Sequence, residues 1–267
     1  MSWPHGLGFA VFEVAEAYDR QRGRSSKILA PLFVDFVGVR GEVLDVGCGT
    51  GALTFAIAKT QAVSKIVAVD LSEAFLAYAR AQTDDPRISF QQGDAQRLRF
   101  ADSSFDTCLA LLVVYFIPDA PKAMKEMRRV TRPGGVVATA MWDNTGGNDL
   151  NQVLWDAAIT LDPKAPQDKD RPGSYGTAEE LSSLWASAGL ISIEIKNLVF
   201  SCGFSSFDDF WQPLTEGQGP AGAYLARLSQ DHRAALREQL RQNLLGKRSD
   251  GPITLKAKAW AVRGIVP

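Results

Sequence analysis

Three glycines at alternate positions close an apolar run: Val43-Leu44-Asp45-Val46-Gly47-Cys48-Gly49-Thr50-Gly51. Glycine lets backbone come close to a ligand and accepts positive φ, so this alternation predicts a loop wrapped around something bound. The spacing is G-x-G-x-G, not the G-x-G-x-x-G of dinucleotide binders. Asp45, two residues ahead of the first glycine, suits a ligand's positive group and would be a poor neighbour for a pyrophosphate. A second acid, Asp70, ends the next apolar run. A carboxylate at a strand end there can accept both hydroxyls of a ribose, although alone it could simply flank a helix. Gly93-Asp94-Ala95 follows a third run. Asp94 can accept from an adenine amino group, and a bare turn would explain the same residues.

These residues need strands that end together. Glu42 to Val46, Ile66 to Asp70, Ile88 to Phe90, Phe105 to Leu112 and Val136 to Trp142 read as strands. The fourth is apolar throughout, as a strand buried on both faces should be. Helical patterns fall between them: Ala52 to Thr60, Glu73 to Gln82 behind the N-cap Ser72, and a stripe of Ala120, Ala123, Met124, Met127 and Val130 stopped by Arg132-Pro133-Gly134-Gly135. Such alternation implies βαβ units and a parallel sheet. Residues 1–40 read as a helical cap, with only a loose polar and apolar separation at Phe12, Ala15 and Asp19. After Trp142 the rhythm breaks. Residues 143–176 are rich in Gly, Pro, Asn and Asp, with a short helix near Val153 to Thr160. Thr177 to Ala188 is a helix with Thr177 and Glu180 as a capping box. Leu190 to Phe200 is a strand, residues 205–248 are mostly helical, and Ile253 to Val262 is a last strand. One compact domain is expected, with 41–142 as the binding core and the segments 143–176 and 205–248 as lid insertions.

The 267 residues are 46% hydrophobic and 22% charged, which is ordinary globular composition. Twenty-nine basic residues against 30 acidic ones leave a net charge of −1. Such a chain lacks the overall positive charge that drives binding to a phosphate backbone, so nucleic acid is not expected as a partner. Three cysteines (Cys48, Cys108, Cys202) and two histidines (His5, His232) are too few and too scattered for a disulfide framework or a zinc site. No Lys or Arg precedes Arg20, and the longest apolar run, Cys108 to Ile117, is half a membrane span. A cytoplasmic protein with reduced thiols is expected.

Five segments in order carry a resemblance: LDVGCGTG at 44–51, VAVDLS at 67–72, GDAQRLRF at 93–100, FDTCLALLVVYFIPD at 105–119 and MRRVTRPGGVVATAMW at 127–142. Together they resemble the class I S-adenosylmethionine-dependent methyltransferases, in particular the small-molecule branch called type 11, which includes the ubiquinone and menaquinone C-methyltransferases. The resemblance implies a doubly wound α/β fold with a seven-stranded mixed sheet, the last strand antiparallel beside the sixth. It implies S-adenosylmethionine as cofactor and S-adenosylhomocysteine as product. It places Gly47, Cys48, Gly49 and Gly51 around the methionine part and ribose, Asp45 at the amino group, Asp70 on the ribose and Leu71 against adenine. Asp94 and Ala95 would read the adenine edge, and the Ala110 backbone would meet the methionine amino group. A weaker match covers Tyr18 to Arg24: Tyr18 would cover the cofactor, and an arginine, with Arg24 favoured over Arg20 and Arg22, would take the methionine carboxylate. An exposed, solvated helix end explains the same cluster.

Departures narrow the chemistry. Where many relatives carry histidine after the fourth strand, this chain has Tyr115-Phe116. Neither the Asp/Asn-Pro-Pro-aromatic run of nucleic-acid amino methylation nor a Pro-Cys nucleophile is present, and Cys48 and Cys108 read as packing residues. A small-molecule methyl acceptor is therefore expected. Trp142, Tyr175, Phe210 and Trp211 either line its site or bury against the sheet. Tyr115, Asp143 and Tyr175 are the candidate bases. Arg233, Arg237 and Arg241 form a solvated helical stripe. Two other readings stay open: a nicotinamide oxidoreductase, which the glycine spacing disfavours, and a cofactor-binding partner protein without transfer activity.

Overall fold

A computed structural model describes residues 14–163, 165, 175–217 and 219–267. Phe12 and His5 lie outside the described residues. Seven strands form one sheet in the order β3-β2-β1-β4-β5-β7-β6. β1 (Gly41–Val46), β2 (Val63–Asp70), β3 (Ile88–Gln92), β4 (Phe105–Leu111) and β5 (Thr131–Trp142) are parallel neighbours. β7 (Ile253–Ile265) runs antiparallel between β5 and β6 (Ile191–Phe204). The expected sheet is thus the observed one, with the last strand beside the sixth.

Apolar residues on both faces fix the central strands. Leu109 and Ala138 pack on one face, and Cys108 and Val137 on the other. The stripe read from the sequence forms α5 (Ala120–Val130), whose Ala123, Met124, Met127 and Val130 are buried. The capping box at Thr177 and Glu180 opens α7 (Ala178–Ser187). Asp70 ends β2 just before α4 (Glu73–Arg80), and the Ser72 side chain accepts from the Phe75 N–H.

Three boundaries differ from the sequence reading. β2 starts at Val63, because the chain enters the sheet straight from the turn after α3 (Ala52–Ala58). β5 starts at Thr131: the Arg-Pro-Gly-Gly tetrad ends α5, yet Thr131 already pairs with Phe105, and Gly134 and Gly135 exchange backbone hydrogen bonds with Val266. β6 continues to Phe204. Residues 253–258 of β7 run past the last β5 pair, Trp142↔Ala259, paired with β6 alone. This projecting hairpin carries α8 (Phe207–Thr215), α9 (Gly219–Arg227) and α10 (Gln230–Leu245), and α6 (Asp149–Leu161) packs beside it. Trp155, Phe210, Trp211, Leu225 and Leu240 share this separate apolar cluster.

The N-terminal segment is better built than its pattern suggested. α1 (Ala15–Tyr18) runs through a π-turn, Asp19–Gly23, into α2 (Arg24–Val37). α2 buries Leu29, Ala30, Phe33, Val34 and Val37 against α3 and the sheet. Its stripe begins after the residues that looked weakly amphipathic. The π-turn, a form frequent at functional sites, turns the Asp19 carboxylate back over Gly23.

Candidate functional site

The strand ends and their backbone hydrogen bonds assemble the site. The Gly47 and Cys48 N–H groups both donate to the Val69 carbonyl, at 2.8 and 3.0 Å, so the glycine loop is bound to the end of β2. The Gly93 N–H donates to the Asp70 carbonyl at 3.0 Å and brings the turn after β3 alongside. Between these turns lies a cleft with about 910 Å³ of empty space, open to solvent. Tyr18, Gly47, Gly49, Asp70, Leu71, Asp94 and Ala95 all line it.

Asp70 has a second task that the sequence did not reveal. Its carboxylate accepts from the Gly49 N–H at 2.8 Å and the Ser72 N–H at 2.9 Å, one bond to each oxygen. It therefore clamps the glycine loop while keeping lone pairs for a ligand. Burial raises its pKa, and the hydrogen bonds from Ser72, Gly49 and Leu71 pull the other way. Asp94 closes an Asx turn on Gln96, with its Oδ1 accepting from the backbone N–H at 2.8 Å. Tyr18 stacks at 5.0 Å on Phe75, another cleft residue, and burial pushes its hydroxyl up to about 12. Gly49 has φ +55, and a Cβ there would meet only Tyr18, at 3.7 Å. Its open side faces the space a ligand needs. At Gly47 a Cβ would strike Val113 at 2.5 Å, so that glycine serves close packing.

Other expected site residues are elsewhere. Asp45 lies fully buried beneath the loop, with Thr54 Oγ1 donating to its Oδ2 at 2.6 Å. Its Oδ1 is buried without a hydrogen-bond partner, and burial pushes the carboxyl up to about 7 against the Thr54 hydrogen bond. The Cys48 side chain packs behind the loop on Ala68 and Leu76. Gly51, at φ +90, starts α3 against Phe55 and does not reach the cleft wall. Ala110 sits one residue too deep: its carbonyl accepts from Thr139 Oγ1 at 2.6 Å, and Leu111, Leu112 and Val113 meet the cleft instead. Arg24 turns away to Asp209, with 2.7 and 3.0 Å hydrogen bonds, because that carboxylate on α8 offers both oxygens to its guanidinium.

The aromatics and bases also resolve. Trp211 and Phe210 are core residues of the helical cluster, and Trp142 packs on Phe200 at 6.2 Å. Tyr115 stacks on Phe116 at 3.8 Å, and Tyr175 packs against the sheet at φ +48. Asp143 is buried and occupied: it accepts from the Thr145 N–H at 2.8 Å and from Asn197 Nδ2 at 2.7 Å. Burial alone would raise its pKa, but these hydrogen bonds hold it below the usual range, which makes it a poor base. Arg237 pairs with Asp208 and Arg241 with Glu238, but Arg233 leaves the solvated stripe: it donates to the Leu225 carbonyl at 2.9 Å and its Nε is buried, because α9 packs over it. Among the described residues no group of three or more His, Cys, Asp or Glu could hold a metal ion, and no helix is long and apolar enough to cross a membrane.

Several cleft residues were given no site role by the sequence reading. Phe75, Gln96, Phe116, Ile117 and Pro118 are brought there by chain reversals. Leu112, at φ +56, is an outlier for a branched side chain. Asp19 joins three elements: it accepts from Thr50 Oγ1 at 3.2 Å, Lys27 Nζ at 2.7 Å and the Tyr78 hydroxyl at 3.4 Å.

Known proteins bear on this geometry. Residues 44–139 match the family described as Methyltransferase domain. A malonyl-[acyl-carrier protein] O-methyltransferase of Pectobacterium atrosepticum is 39% identical over 148 residues, 54% of this chain and 56% of that one. A ubiquinone/menaquinone biosynthesis C-methyltransferase of Bdellovibrio bacteriovorus is 39% identical over 98 residues, 36% of this chain and 42% of that one. The chain thus spans about half the length of these relatives. The YcgJ protein of Bacillus subtilis superposes with a TM-score of 0.56 at 18% identity, over 88% of this chain and 97% of the other, which shows a shared fold. Glycine loop, acid-lined cleft and strand order agree with these matches: residues 44–139 are a methyltransferase domain, and the chain has the fold of the class I S-adenosylmethionine-dependent methyltransferases.

Proposed function

We propose that the protein transfers a methyl group from S-adenosylmethionine to a small-molecule acceptor. The observation that supports this best is the clamp of Asp70 on Gly49 beside Asp94, which places two carboxylates on one wall of a cleft roomy enough for a nucleoside. The residues fit the cofactor. Asp70 keeps acceptor capacity that ribose hydroxyls would use, and Asp94 would take the adenine edge with Leu71 and Phe75 as apolar contacts. The open side of Gly49 leaves room for the methionine chain. Burial raises the Asp45 carboxyl, unpartnered at Oδ1 beneath the loop, to about 7, and a cationic ligand above it would favour its ionised form.

For the methionine carboxylate the assignment moves from Arg24 to Arg22. Arg24 is held by Asp209 and Arg20 by Glu216, whereas Arg22 donates to Asn151 Oδ1 at 3.3 Å and has no carboxylate partner among the described residues. Of the charged neighbours acting on the buried Tyr18 hydroxyl, Arg22 has the largest effect, so its charge bears on the cleft.

When bound, the cofactor would supply a methyl group on a sulfonium, open to displacement by an acceptor lone pair with the C–S electron pair remaining on sulfur. The protein's own contribution is alignment and exclusion of water. Holding two reactants in line can be worth about 7–11 kcal/mol. Tyr18 and Phe75 close the apolar side, and the occupied Asp143 leaves an acceptor to lose any proton to water.

Calorimetry with S-adenosylhomocysteine and an isotope-transfer screen of small metabolites test this. Binding that falls on Asp70→Asn, with label transfer to at least one metabolite, is expected. Absence of binding would overturn the reading, and tight binding without transfer to any of them would favour a non-catalytic binder.

A further inference from the structure

Gln96 lies two residues beyond Asp94 and lines the cleft beside it. We propose that Gln96 is a positioning residue for the cofactor's base: its side-chain amide locks the Asp94 carboxylate, so that the cleft takes a 6-amino purine and rejects a 6-oxo purine. The proposal rests on the reading of Asp94 as the acceptor of the adenine amino group.

The amide is held from both sides. Its Nε2 donates to Asp94 Oδ1 at 3.2 Å, and its Oε1 accepts from the Asp119 N–H at 3.2 Å. Only this orientation suits both neighbours. A carboxylate accepts hydrogen bonds and a backbone N–H donates them, so a flipped amide would oppose each. Asp119 is itself fixed: it is the N-cap of α5, and its Oδ1 accepts from the Lys122 N–H at 2.9 Å. A buried helix thus grips one amide, and that amide grips the acid on the cleft wall.

The two oxygens of Asp94 are loaded unequally. Oδ1 accepts from the Gln96 N–H at 2.8 Å as well as from Nε2. Oδ2 has only Nε2 at 3.5 Å, the outer limit of a hydrogen bond. Oδ2 therefore retains the lone pairs that a ligand's donor can use. Adenine would offer its N6–H there, with N1 as an acceptor alongside. Hypoxanthine reverses the pair: O6 accepts and N1 carries the proton. A carboxylate free to turn can follow the donor from position 6 to N1 and lose little. One locked through Oδ1 cannot, and would face O6 with no proton between them, the expensive case for polar groups that a ligand covers.

The turn itself does not depend on this side chain. Its Asx hydrogen bond uses the backbone N–H of residue 96. The chain beyond is tied to α5 separately: the Leu98 N–H donates to Glu126 at 2.8 Å, and Arg129 donates to the Leu98 and Phe100 carbonyls at 2.9 Å each. Substituting Gln96 should release the carboxylate and leave the segment in place.

The test uses the full chain, with calorimetry of S-adenosylhomocysteine and its 6-oxo analogue, S-inosylhomocysteine, at pH 8. Wild type should bind the 6-amino ligand roughly tenfold or more tightly than the 6-oxo one, the scale of a hydrogen bond to a charged group. Gln96→Met keeps the length and loses both polar atoms. Gln96→Glu keeps the acceptor for Asp119 and loses the donor to Asp94. Each should bring the preference down to about twofold, chiefly by weakening S-adenosylhomocysteine. Asp94→Asn, which would present its Nδ2 to O6, should reverse the preference, and adding Gln96→Met should weaken the reversed preference too. A residue that only packs would lower both affinities alike. The proposal is overturned if both Gln96 variants keep the wild-type ratio, or if wild type shows no preference. An unchanged ratio in Asp94→Asn, with S-adenosylhomocysteine still bound, would instead remove Asp94 as the adenine acceptor. Absence of binding by either ligand would remove the methyl-transfer reading, and this proposal with it.

Discussion

At the scale of single residues, the two acids nearest the glycine loop have opposite duties. Asp70 ties the loop through the Gly49 N–H and faces the cleft, so Asp70→Asn should do two things. S-adenosylhomocysteine affinity should fall roughly 10- to 100-fold, the loss of charge-assisted hydrogen bonds. Amide exchange at Gly49 should also quicken, which a residue serving the ligand alone would not cause. Asp45 never meets the cleft wall. Its carboxyl is raised from 3.8 to about 7 by burial, against a hydrogen bond from Thr54. A folded-state pKa above the unfolded one means the folded protein binds the extra proton. The contribution of this group to stability is then fully present below about 4 and is lost as pH rises through about 7. The melting temperature of the ligand-free protein should accordingly fall between pH 5 and pH 7.5, and Asp45→Asn should flatten that fall. Gly49→Ala separates ligand space from fold. The Cβ has room beside Tyr18, but φ +55 strains any L side chain, so the variant should fold at a cost of about 1–2 kcal/mol. Its cofactor affinity should nonetheless drop at least tenfold, as calorimetry would show. An unchanged affinity would mean the loop does not cradle the ligand.

At the scale of elements, the strands and α5 were legible because burial on both faces or one face leaves a periodicity that the residues themselves carry. Leu44, Cys108 and Val137 could be placed in a sheet from their neighbours alone. Glycine spacing and Asp70 were legible for the same local reason. What the sequence hid was where side chains point once elements meet. Arg24 looked like a ligand residue, and only the arrival of α8 shows that Asp209 claims it. Ala110 stood at a strand end in the sequence, yet the kink at Leu112 moves the exposed backbone onward. The Arg24 and Asp209 pair also predicts an acid limb. Hydrogen bonds from Arg24 hold the Asp209 carboxyl at about 2, against burial. A depressed acid contributes stability that is present above about 4 and lost as pH falls toward 2. Both partners are about one-third exposed, so the pair is worth about 1 kcal/mol or less. Asp209→Ala should therefore cost little globally, but proteolysis should cut faster near α8, since Asp209 also accepts from the Ser205 N–H and hydroxyl just before α8.

At the scale of the whole molecule, the N-terminal segment joins parts that are distant in sequence. Asp19 holds Thr50 of the glycine loop and Tyr78 of α4, while Arg20 and Arg24 hold Glu216 and Asp209 at the ends of α8. One short stretch thus bridges the cofactor cleft and the projecting helical cluster. Each tie is a surface or half-buried polar contact, individually weak, so the stretch is suited to opening without disturbing the sheet. α2 is different, because its Leu29, Phe33 and Val37 belong to the core. A cut must therefore fall before α2. Deleting residues 1–21 should leave a protein whose melting temperature stays within a few degrees of wild type, because no residue of α2 is lost. The same protein should bind S-adenosylhomocysteine at least tenfold more weakly, having lost Tyr18 and the Asp19 ties. In the full chain, hydrogen exchange over residues 15–23 should slow on adding S-adenosylhomocysteine. If exchange there is indifferent to ligand and the shortened protein binds as tightly as the full one, the segment is a fixed brace and not a gate over the cleft.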